Sequence, residues 1–190
     1  MFFVEDKNFL NQKHIDFVET QINKSLFPFY YQPYVTEEQA LESFLKNGND
    51  YKVEPALAHT LLVRKEHRGP MDSPNSSSYD IFNDMLMTFC EKNSIEYKET
   101  LRAAVNLTFP NGIEKCDVHQ DHNYPHKQLL IYLNEVRDKN SKTIILDTDN
   151  KTILKEIVPE LYKGVCFNNM PHFHYFPKVG CRIVCVFTFI

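Results

Sequence analysis

The stretch KQLLIYLNEV, residues 127–136, opens a series of short apolar runs that continues with SKTIILDT (141–148) and KTILKEIV (151–158). Each run is rich in leucine, isoleucine and valine and ends at a turn or a charged break, which is typical of β-strands. The breaks are too short to contain a helix, whereas parallel neighbours need a long crossover connection. The stretch therefore predicts antiparallel strands joined by tight connections.

Similar runs lie on both sides of this stretch. LRAAVNLTF precedes it at 101–109, and three more runs follow it, KGVCFNN (163–169), HFHYF (172–176) and CRIVCVFTFI (181–190). Seven closely spaced strands without intervening helices indicate a sandwich or jelly roll. We therefore expect residues 96–190 to form a double-stranded β-helix, or jelly-roll, core.

The first half of the chain shows helical patterns instead. Apolar residues recur at three- and four-residue steps in KHIDFVETQIN (13–23), TEEQALESFLKNG (36–48) and YDIFNDMLMTFCEKN (79–93). We expect residues 1–95 to form a helical support region that packs on one sheet. The predicted fold class is α+β, in a single domain spanning residues 1–190.

Two segments connect these helical patterns. FPFYYQPYV, residues 27–35, is too interrupted by proline for a central strand and too apolar for a free linker, so we expect it to lie against the core. HRGPMDSPNSSS, residues 67–78, is rich in turn-forming residues. We expect this loop to be a mobile lid or a surface excursion.

The composition restricts the class of protein. The chain has 190 residues, of which 43% are hydrophobic, with a net charge of −4 and a pI near 6.1. These values are typical of a globular protein and give no basic surface for a nucleic acid. The five cysteines are odd in number and form no Cys-x-x-Cys motif, which favours a reducing compartment. Without a basic leader or a run of 18 apolar residues, a soluble cytoplasmic protein is expected, in the host cytoplasm if a virus encodes it.

One ten-residue stretch concentrates side chains that bind metals. DVHQDHNYPH, residues 117–126, contains three histidines and two aspartates. A helical pair of histidines within the stretch is excluded, because Pro125 would break the helix. In an extended chain, His119 and Asp121 project to the same face and present an imidazole and a carboxylate to one ion.

The remaining ligands are expected in NMPHFHYFPKVGCRIVCVFTF, residues 169–189. His172 and His174 share a face of this run, and Arg182 follows a turn. Two histidines and one carboxylate on one side of an iron ion leave positions open for a cosubstrate and dioxygen. A planar guanidinium suits bidentate binding of a carboxylate. Arg182 begins the final run with the same parity as His172, whereas a lysine in a turn, such as Lys178, faces solvent, so Arg182 is favoured as the anchor.

At these residues the sequence resembles the iron(II)- and 2-oxoglutarate-dependent dioxygenases, most closely their prolyl-4-hydroxylase-like branch, which includes short phage proteins. The family pattern is His-x-Asp, a distal His, and then an Arg or Lys. It is matched here by His119-Gln-Asp121, His172 and Arg182. The Tyr-Leu-Asn strand of that branch is matched by IYLN, which makes Tyr132 a candidate contact for the far carboxylate of 2-oxoglutarate.

The resemblance implies Fe(II) and 2-oxoglutarate as cofactors, with ascorbate as an accessory reductant. It assigns the metal to His119, Asp121 and His172, and leaves His174 as the alternative distal ligand. The implied reaction hydroxylates a substrate and releases succinate and CO2. A peptidyl proline or another protein side chain is the expected substrate, ahead of a small molecule.

Two further positions depart from the family pattern. Many prolyl hydroxylases have Tyr-Pro before the first ligand, whereas this chain has Phe-Pro at 109–110 and so lacks a hydroxyl that would orient the cosubstrate. Asn106 and Thr108 on the same run are the candidates to replace that hydroxyl. The usual Gly-Gly before the fourth strand is replaced by Ser-Lys-Thr at 141–143, which makes the local turn different.

Three alternative classes remain. A cupin-like metal protein would place a His-x-His pair and a glutamate on the early strand, whereas the early motif here is His-x-Asp. A non-enzymatic jelly roll, with a binding or structural role, explains the strands but not the ordered ligands. A nucleic-acid demethylase of the same superfamily is disfavoured by the acidic pI.

Overall fold

The computed structural model describes residues 2–24, 26–32, 55–68 and 73–190. Ten strands lie in these ranges: β1 (Phe3–Asp6), β2 (Tyr30–Gln32), β3 (Ala56–Leu62), β4 (Thr100–Thr108), β5 (Lys127–Tyr132), β6 (Thr143–Leu146), β7 (Ile153–Ile157), β8 (Gly164–Asn168), β9 (His172–His174) and β10 (Arg182–Phe189). The helices are α1 (Gln12–Phe17), which continues into a π-helical turn (Val18–Ile22), a 3₁₀ turn (Lys65–His67) and α2 (Tyr79–Lys92).

The strands form two sheets with antiparallel pairing throughout the described residues. The larger sheet has the order β1-β8-β5-β10-β4-β3-β2, and the smaller has the order β7-β6-β9. All seven strands predicted after residue 100 are present. The expectation of an α+β jelly roll is confirmed.

One face of the larger sheet, which we call the outer face, is covered by the helices. Ile183, Cys185 and Phe187 of β10 belong to the same buried cluster as Phe89 of α2 and Val18 of the π-helical turn. Helix α2 presents its buried residues at three- and four-residue steps, namely Phe82, Met85, Leu86, Phe89 and Cys90. Each large side chain removed from water in this way contributes roughly 1.5–3 kcal/mol. The prediction that helices pack on one sheet is therefore confirmed.

The opposite, inner face of the larger sheet packs against the smaller sheet. Val184 and Val186 of β10 form a second buried cluster with Ile145 of β6 and Ile157 of β7. Because side chains alternate along a strand, β10 supplies apolar residues to both clusters and is buried over its whole length. Arg182, at the start of β10, lies on this inner face.

The expectation of a helical region before residue 96 needs correction. β1, β2 and β3 come from that region, and they pair with β8 and β4 in the same sheet as the C-terminal strands. β3 shows no alternating apolar pattern in the sequence, because its buried and exposed residues do not alternate along the strand. β1 and β2 are too short to show a period. The described N-terminal residues thus complete the sheet as well as cover it.

The other N-terminal expectations fall partly outside the described residues. The first and third predicted helices are observed, whereas the predicted helix at 36–48 lies outside, as does the centre of the loop at 67–78. The segment that begins at residue 27 lies against the core through Phe27 and forms the edge strand β2. No helix in the described ranges has the length and apolar character needed to cross a membrane.

Candidate active site

The two sheets enclose a cavity of about 350 Å³. Its walls are inner-face residues of β3, β4, β5 and β10 on one side and of β6 and β9 on the other. Small or apolar side chains, such as Ala58, Ala104 and Leu130, alternate with polar ones along these walls. The sequence-predicted ligands His119, Asp121, His172, His174 and Arg182 all line this single cavity, and so does Asn106.

Backbone pairing brings the first motif and the distal histidine together. His119 and His172 form an isolated antiparallel bridge, in which each N–H donates to the carbonyl of the other at 3.0 and 2.9 Å. Their imidazole centroids are 4.6 Å apart. The fold therefore places two imidazoles side by side that are distant in the sequence.

Both rings are oriented by backbone carbonyls. Nδ1 of His119 lies 2.9 Å from the carbonyl oxygen of Asp117, and Nδ1 of His172 lies 2.9 Å from that of Met170. A carbonyl only accepts, so in each neutral ring Nδ1 carries the proton and Nε2 keeps its lone pair. This is the outer-shell arrangement found around metal-binding histidines.

Asp121 completes this end of the cavity. Its Oδ2 atom is buried without a hydrogen-bond partner and lies 3.7 Å from Nε2 of His172. Its Oδ1 atom is 3.3 Å from Nη1 of Arg102, which projects from β4. One carboxylate oxygen is thus held by a cation, and the other faces the imidazole.

These donor atoms suit a divalent metal, although their side chains are not yet closed around a common point. Within the described ranges no three His, Cys, Asp or Glu side chains form a ready metal-binding group. Two ligands of one ion at about 2.1 Å lie at most about 4.2 Å apart. The 3.7 Å separation between Asp121 and His172 is within that limit. The chemistry of the donors therefore fits a metal.

The protonation states at neutral pH also favour metal binding. Burial, together with the neighbouring His119, lowers the pKa of His172 to about 4. Burial alone would raise the pKa of Asp121, but the electrostatic influence of His172 and Arg102 outweighs it, and the pKa lies below its ordinary value. A neutral imidazole and an ionised carboxylate are the forms that bind metals.

Arg182 defines the other end of the cavity. The side chain is buried, its Nη2 donates to Oγ1 of Thr143 at 2.7 Å, and its Nε has no partner. Tyr132 lies behind this pair, with its hydroxyl 3.2 Å from Oγ1 of Thr143 and its ring centroid 5.4 Å from Cζ of Arg182. The arginine is therefore held in place, with an unpartnered donor close to the cavity.

The predicted role of Tyr132 as a direct cosubstrate contact is not supported by its position. Tyr132 is fully buried and does not line the cavity. It supports Thr143 and Arg182 from behind, because the inner face of β5 reaches the interior of the inter-sheet cluster at this point. Thr143 occupies the wall instead.

The two candidates to replace the missing tyrosine hydroxyl lie on the inner face of β4, because side chains two residues apart on a strand share a face. Asn106 and Thr108 line the cavity, whereas Phe109 does not. Lys178 also lies outside the cavity, in an exposed turn where its backbone N–H donates to Asp138. The geometry favours Arg182 over Lys178 as the anchor.

The structure adds four polar residues that the sequence did not single out. Arg102 binds Asp121, Thr143 binds Arg182, and Nε2 of Gln128 lies 3.4 Å from Nε2 of His172. Arg64 donates to the carbonyl oxygen of Asp121. Arg102 lies on the same face of β4 as Asn106, and Gln128 on the same face of β5 as Leu130. Their contacts with Asp121 and His172 depend on how distant segments pair, which the sequence does not show.

The two remaining histidines of the 117–126 stretch do not line this cavity. His122 is buried, with Nε2 2.8 Å from Oγ1 of Thr188, and its ring stacks on Tyr124. His126 meets His122 edge to face, with centroids 4.8 Å apart. These side chains pack against each other and against Tyr124, within the loop that carries Asp121.

Comparison with known proteins gives structural similarity without detectable sequence similarity. No protein-family model and no curated protein sequence matches the chain. A prolyl hydroxylase from Trichoplax adhaerens, solved in complex with a hypoxia inducible factor peptide fragment, is similar over 98% of this chain and 83% of its own. Its TM-score is 0.64 at 12% identity. An oxidoreductase of the 2OG-Fe(II) oxygenase family from Burkholderia pseudomallei covers 94% of this chain with 91% of its own, at a TM-score of 0.58 and 13% identity.

A third similar structure has a different activity. SnoN, a non-heme alpha ketoglutarate dependent epimerase from nogalamycin biosynthesis, covers 99% of this chain with 77% of its own, at a TM-score of 0.63 and 8% identity. The fold of this chain is therefore the jelly roll of the 2-oxoglutarate- and iron-dependent oxygenases. Identities this low establish the fold, and the chemistry must be argued from the residues of the cavity.

Proposed function

We propose that the chain is an Fe(II)- and 2-oxoglutarate-dependent dioxygenase that hydroxylates its substrate and releases succinate and CO2. The observation that carries the proposal is the partnerless, buried Oδ2 of Asp121 beside Nε2 of His172, in a cavity whose other end holds Arg182. An orphaned buried carboxylate oxygen is costly unless a ligand satisfies it. A divalent metal is the ligand that suits a carboxylate and two imidazole lone pairs together.

The residues have separate tasks in this proposal. His119, Asp121 and His172 would hold the iron, which when bound supplies the activation of dioxygen. Arg182, steadied by Thr143, binds the far carboxylate of 2-oxoglutarate through charge-assisted hydrogen bonds. Apolar side chains such as Leu130 limit water in the cavity, which strengthens these polar contacts.

We infer that the substrate is a peptidyl proline or another protein side chain. The inference is supported by the prolyl hydroxylases among the similar structures, one of them holding a peptide, together with others from Pseudomonas putida and a chlorella virus. A small-molecule substrate is the second candidate, which the epimerase of antibiotic biosynthesis favours. Ascorbate would act only as a reductant that maintains Fe(II).

The test is metal binding together with succinate formation. Purified protein should bind one Fe(II) or Mn(II) per chain and produce succinate from 2-oxoglutarate above a metal-free control. His172→Ala should lose both properties, whereas His174→Ala should retain metal binding. Absence of both metal binding and succinate in the wild-type protein would refute the proposal. Loss of metal binding only in His174→Ala would move the distal ligand to that residue.

A further inference from the structure

His174, which lines the cavity, forms a close pair with a cysteine that lies outside the cavity lining. Sγ of Cys116 lies 3.1 Å from Nδ1 of His174, and the backbone N–H of His174 donates to the same sulfur at 3.2 Å. The backbone N–H of Cys116 donates in return to the carbonyl of His174 at 3.0 Å. The two residues are therefore locked together through three contacts.

The far nitrogen of this imidazole has no partner. Nε2 of His174 is a buried atom without a hydrogen bond, and the residue lines the cavity beside His172 and Arg182. Arg182 has an equally unpartnered Nε. Two buried polar atoms, one from each sheet, therefore lack a partner, and a ligand in the cavity would satisfy both.

The sulfur determines which nitrogen of His174 carries the proton. An imidazole lone pair is a better acceptor than a thiol sulfur, which already receives the backbone N–H of His174. The stronger arrangement is therefore Cys116 S–H donating to Nδ1, which leaves the proton of the neutral ring on Nε2. His174 then presents an N–H donor to the cavity rather than a lone pair.

This distinguishes His174 from its neighbour on the same face of β9. The Nδ1 of His172 meets a backbone carbonyl, which leaves a lone pair on Nε2, and that nitrogen approaches Asp121. Of these two described histidines, only His172 has a ring nitrogen within 4 Å of the carboxylate. The two imidazoles thus carry the proton on different nitrogens. Nε2 of His172 has a lone pair, which suits a cation, whereas Nε2 of His174 has a proton, which suits an anion.

We propose that His174 is a cosubstrate-binding residue whose Nε2–H, fixed by Cys116, donates to the carboxylate that Arg182 binds. The inference rests on the proposed function, because it takes 2-oxoglutarate as the ligand. It provides this cavity with a donor beyond the arginine, in a chain that has Phe109 where many prolyl hydroxylases have a tyrosine. It also makes Cys116 a positioning residue that acts through the ring of His174.

The experiment measures 2-oxoglutarate affinity by calorimetry in the Mn(II)-loaded protein, where no turnover occurs. His174→Leu should weaken 2-oxoglutarate binding by about 10- to 100-fold, which is the loss of one hydrogen bond to a charged group. His174→Gln keeps an N–H near the position of Nε2 and should bind within about threefold of wild type. Phe173→Leu, which alters the opposite face of β9, serves as the matched control and should retain affinity.

The role of Cys116 is tested with a conservative pair. Cys116→Ser retains a donor to Nδ1 and should bind 2-oxoglutarate as wild type does. Cys116→Ala frees the ring to change tautomer and should lose about two- to tenfold in affinity. Ring ¹⁵N shifts, with the His174 signal assigned by its loss in His174→Leu, should show the proton on Nε2 in wild type and a mixed tautomer in Cys116→Ala.

The outcomes separate this inference from the proposed function. If the wild-type protein binds no Mn(II), the proposed function fails. If Mn(II) binding is intact and His174→Leu binds 2-oxoglutarate as tightly as wild type, only the role of His174 is overturned. Loss of Mn(II) binding in His174→Leu would make His174 a metal ligand and overturn it as well. A proton on Nδ1 in the wild-type spectrum would contradict the tautomer that Cys116 is proposed to impose.

Discussion

The two faces of the larger sheet are both buried, but they are satisfied differently. On the outer face, Ile183 and Phe187 of β10 lie in a cluster of buried apolar side chains that includes those of the helices. On the inner face, polar side chains of the same strands surround a cavity. Six buried side-chain atoms in the described residues lack a hydrogen bond, and four belong to residues of the cavity, namely Asp121, Gln128, His174 and Arg182.

This difference shows that apolar burial on the outer face stabilises the fold, whereas unpartnered polar atoms on the inner face destabilise it. Buried polar atoms without partners each cost about 1–3 kcal/mol, so a cluster of them is expected only where a ligand restores the hydrogen bonds. The outer face carries the compensating apolar burial. Changes on the inner face should therefore alter ligand binding with little effect on folding, and changes on the outer face should do the reverse.

The largest expected effect is on the inner face, with Asp121→Ala. This change removes the only acidic ligand proposed for the metal, so Mn(II) binding and succinate formation should fall to background. The free energy of unfolding should change by no more than about 1 kcal/mol, because the partner Arg102 is partly exposed and can be hydrated. Metal titration and chemical denaturation measure the two effects.

Asp149→Ala is the matched control for this change, since Asp149 is an exposed carboxylate in the turn between β6 and β7. It should leave metal binding unchanged. An Asp121→Ala protein that fails to fold would contradict the separation of the two faces and give Asp121 a structural role.

On the outer face, Phe89→Ala should have the next largest effect. Phe89 is fully buried, and its ring meets that of Phe9 edge to face with centroids 4.9 Å apart. Truncation of a buried phenylalanine typically costs about 3–5 kcal/mol through lost burial and the cavity that remains. Denaturation should show this loss, while the folded variant should bind Mn(II) and 2-oxoglutarate within about twofold of wild type. Weakened binding in the folded variant would show that the two faces are coupled.

The same contrast explains how far the sequence predicted the fold. The strands from β4 to β10 were predicted because they are apolar runs close together in the chain, with breaks that allow only antiparallel pairing. β3 was missed because a histidine and a threonine interrupt its apolar residues, and because its partner β4 is distant in the sequence. Helix α2 was predicted because it covers the outer face with a regular period.

The sequence predicted only those site residues that belong to a recognisable motif. His119, Asp121, His172 and Arg182 form an ordered pattern, and the fold brings them to one cavity. Contacts between segments that are distant in the sequence correspond to no motif, so they were not predicted. The contact of Cys116 with His174 and that of Arg102 with Asp121 depend on strand register, which apolar periodicity does not determine.

The smallest of these effects is expected for Arg182→Ala, at the end of the cavity opposite Asp121. Loss of a buried charge-assisted contact typically costs about 2–5 kcal/mol, so 2-oxoglutarate affinity should fall by tens- to thousands-fold while Mn(II) binding persists. Arg182→Lys keeps the charge but loses the planar fork and its contact with Thr143, so its affinity should be intermediate. Lys178→Ala should change nothing, because Lys178 lies in an exposed turn outside the cavity. The decisive measurement is the dependence of succinate formation on 2-oxoglutarate concentration. Normal dependence in Arg182→Ala, with a large loss in Lys178→Ala, would reverse the assignment and show that the inner face does not bind the cosubstrate where its unpartnered donors lie.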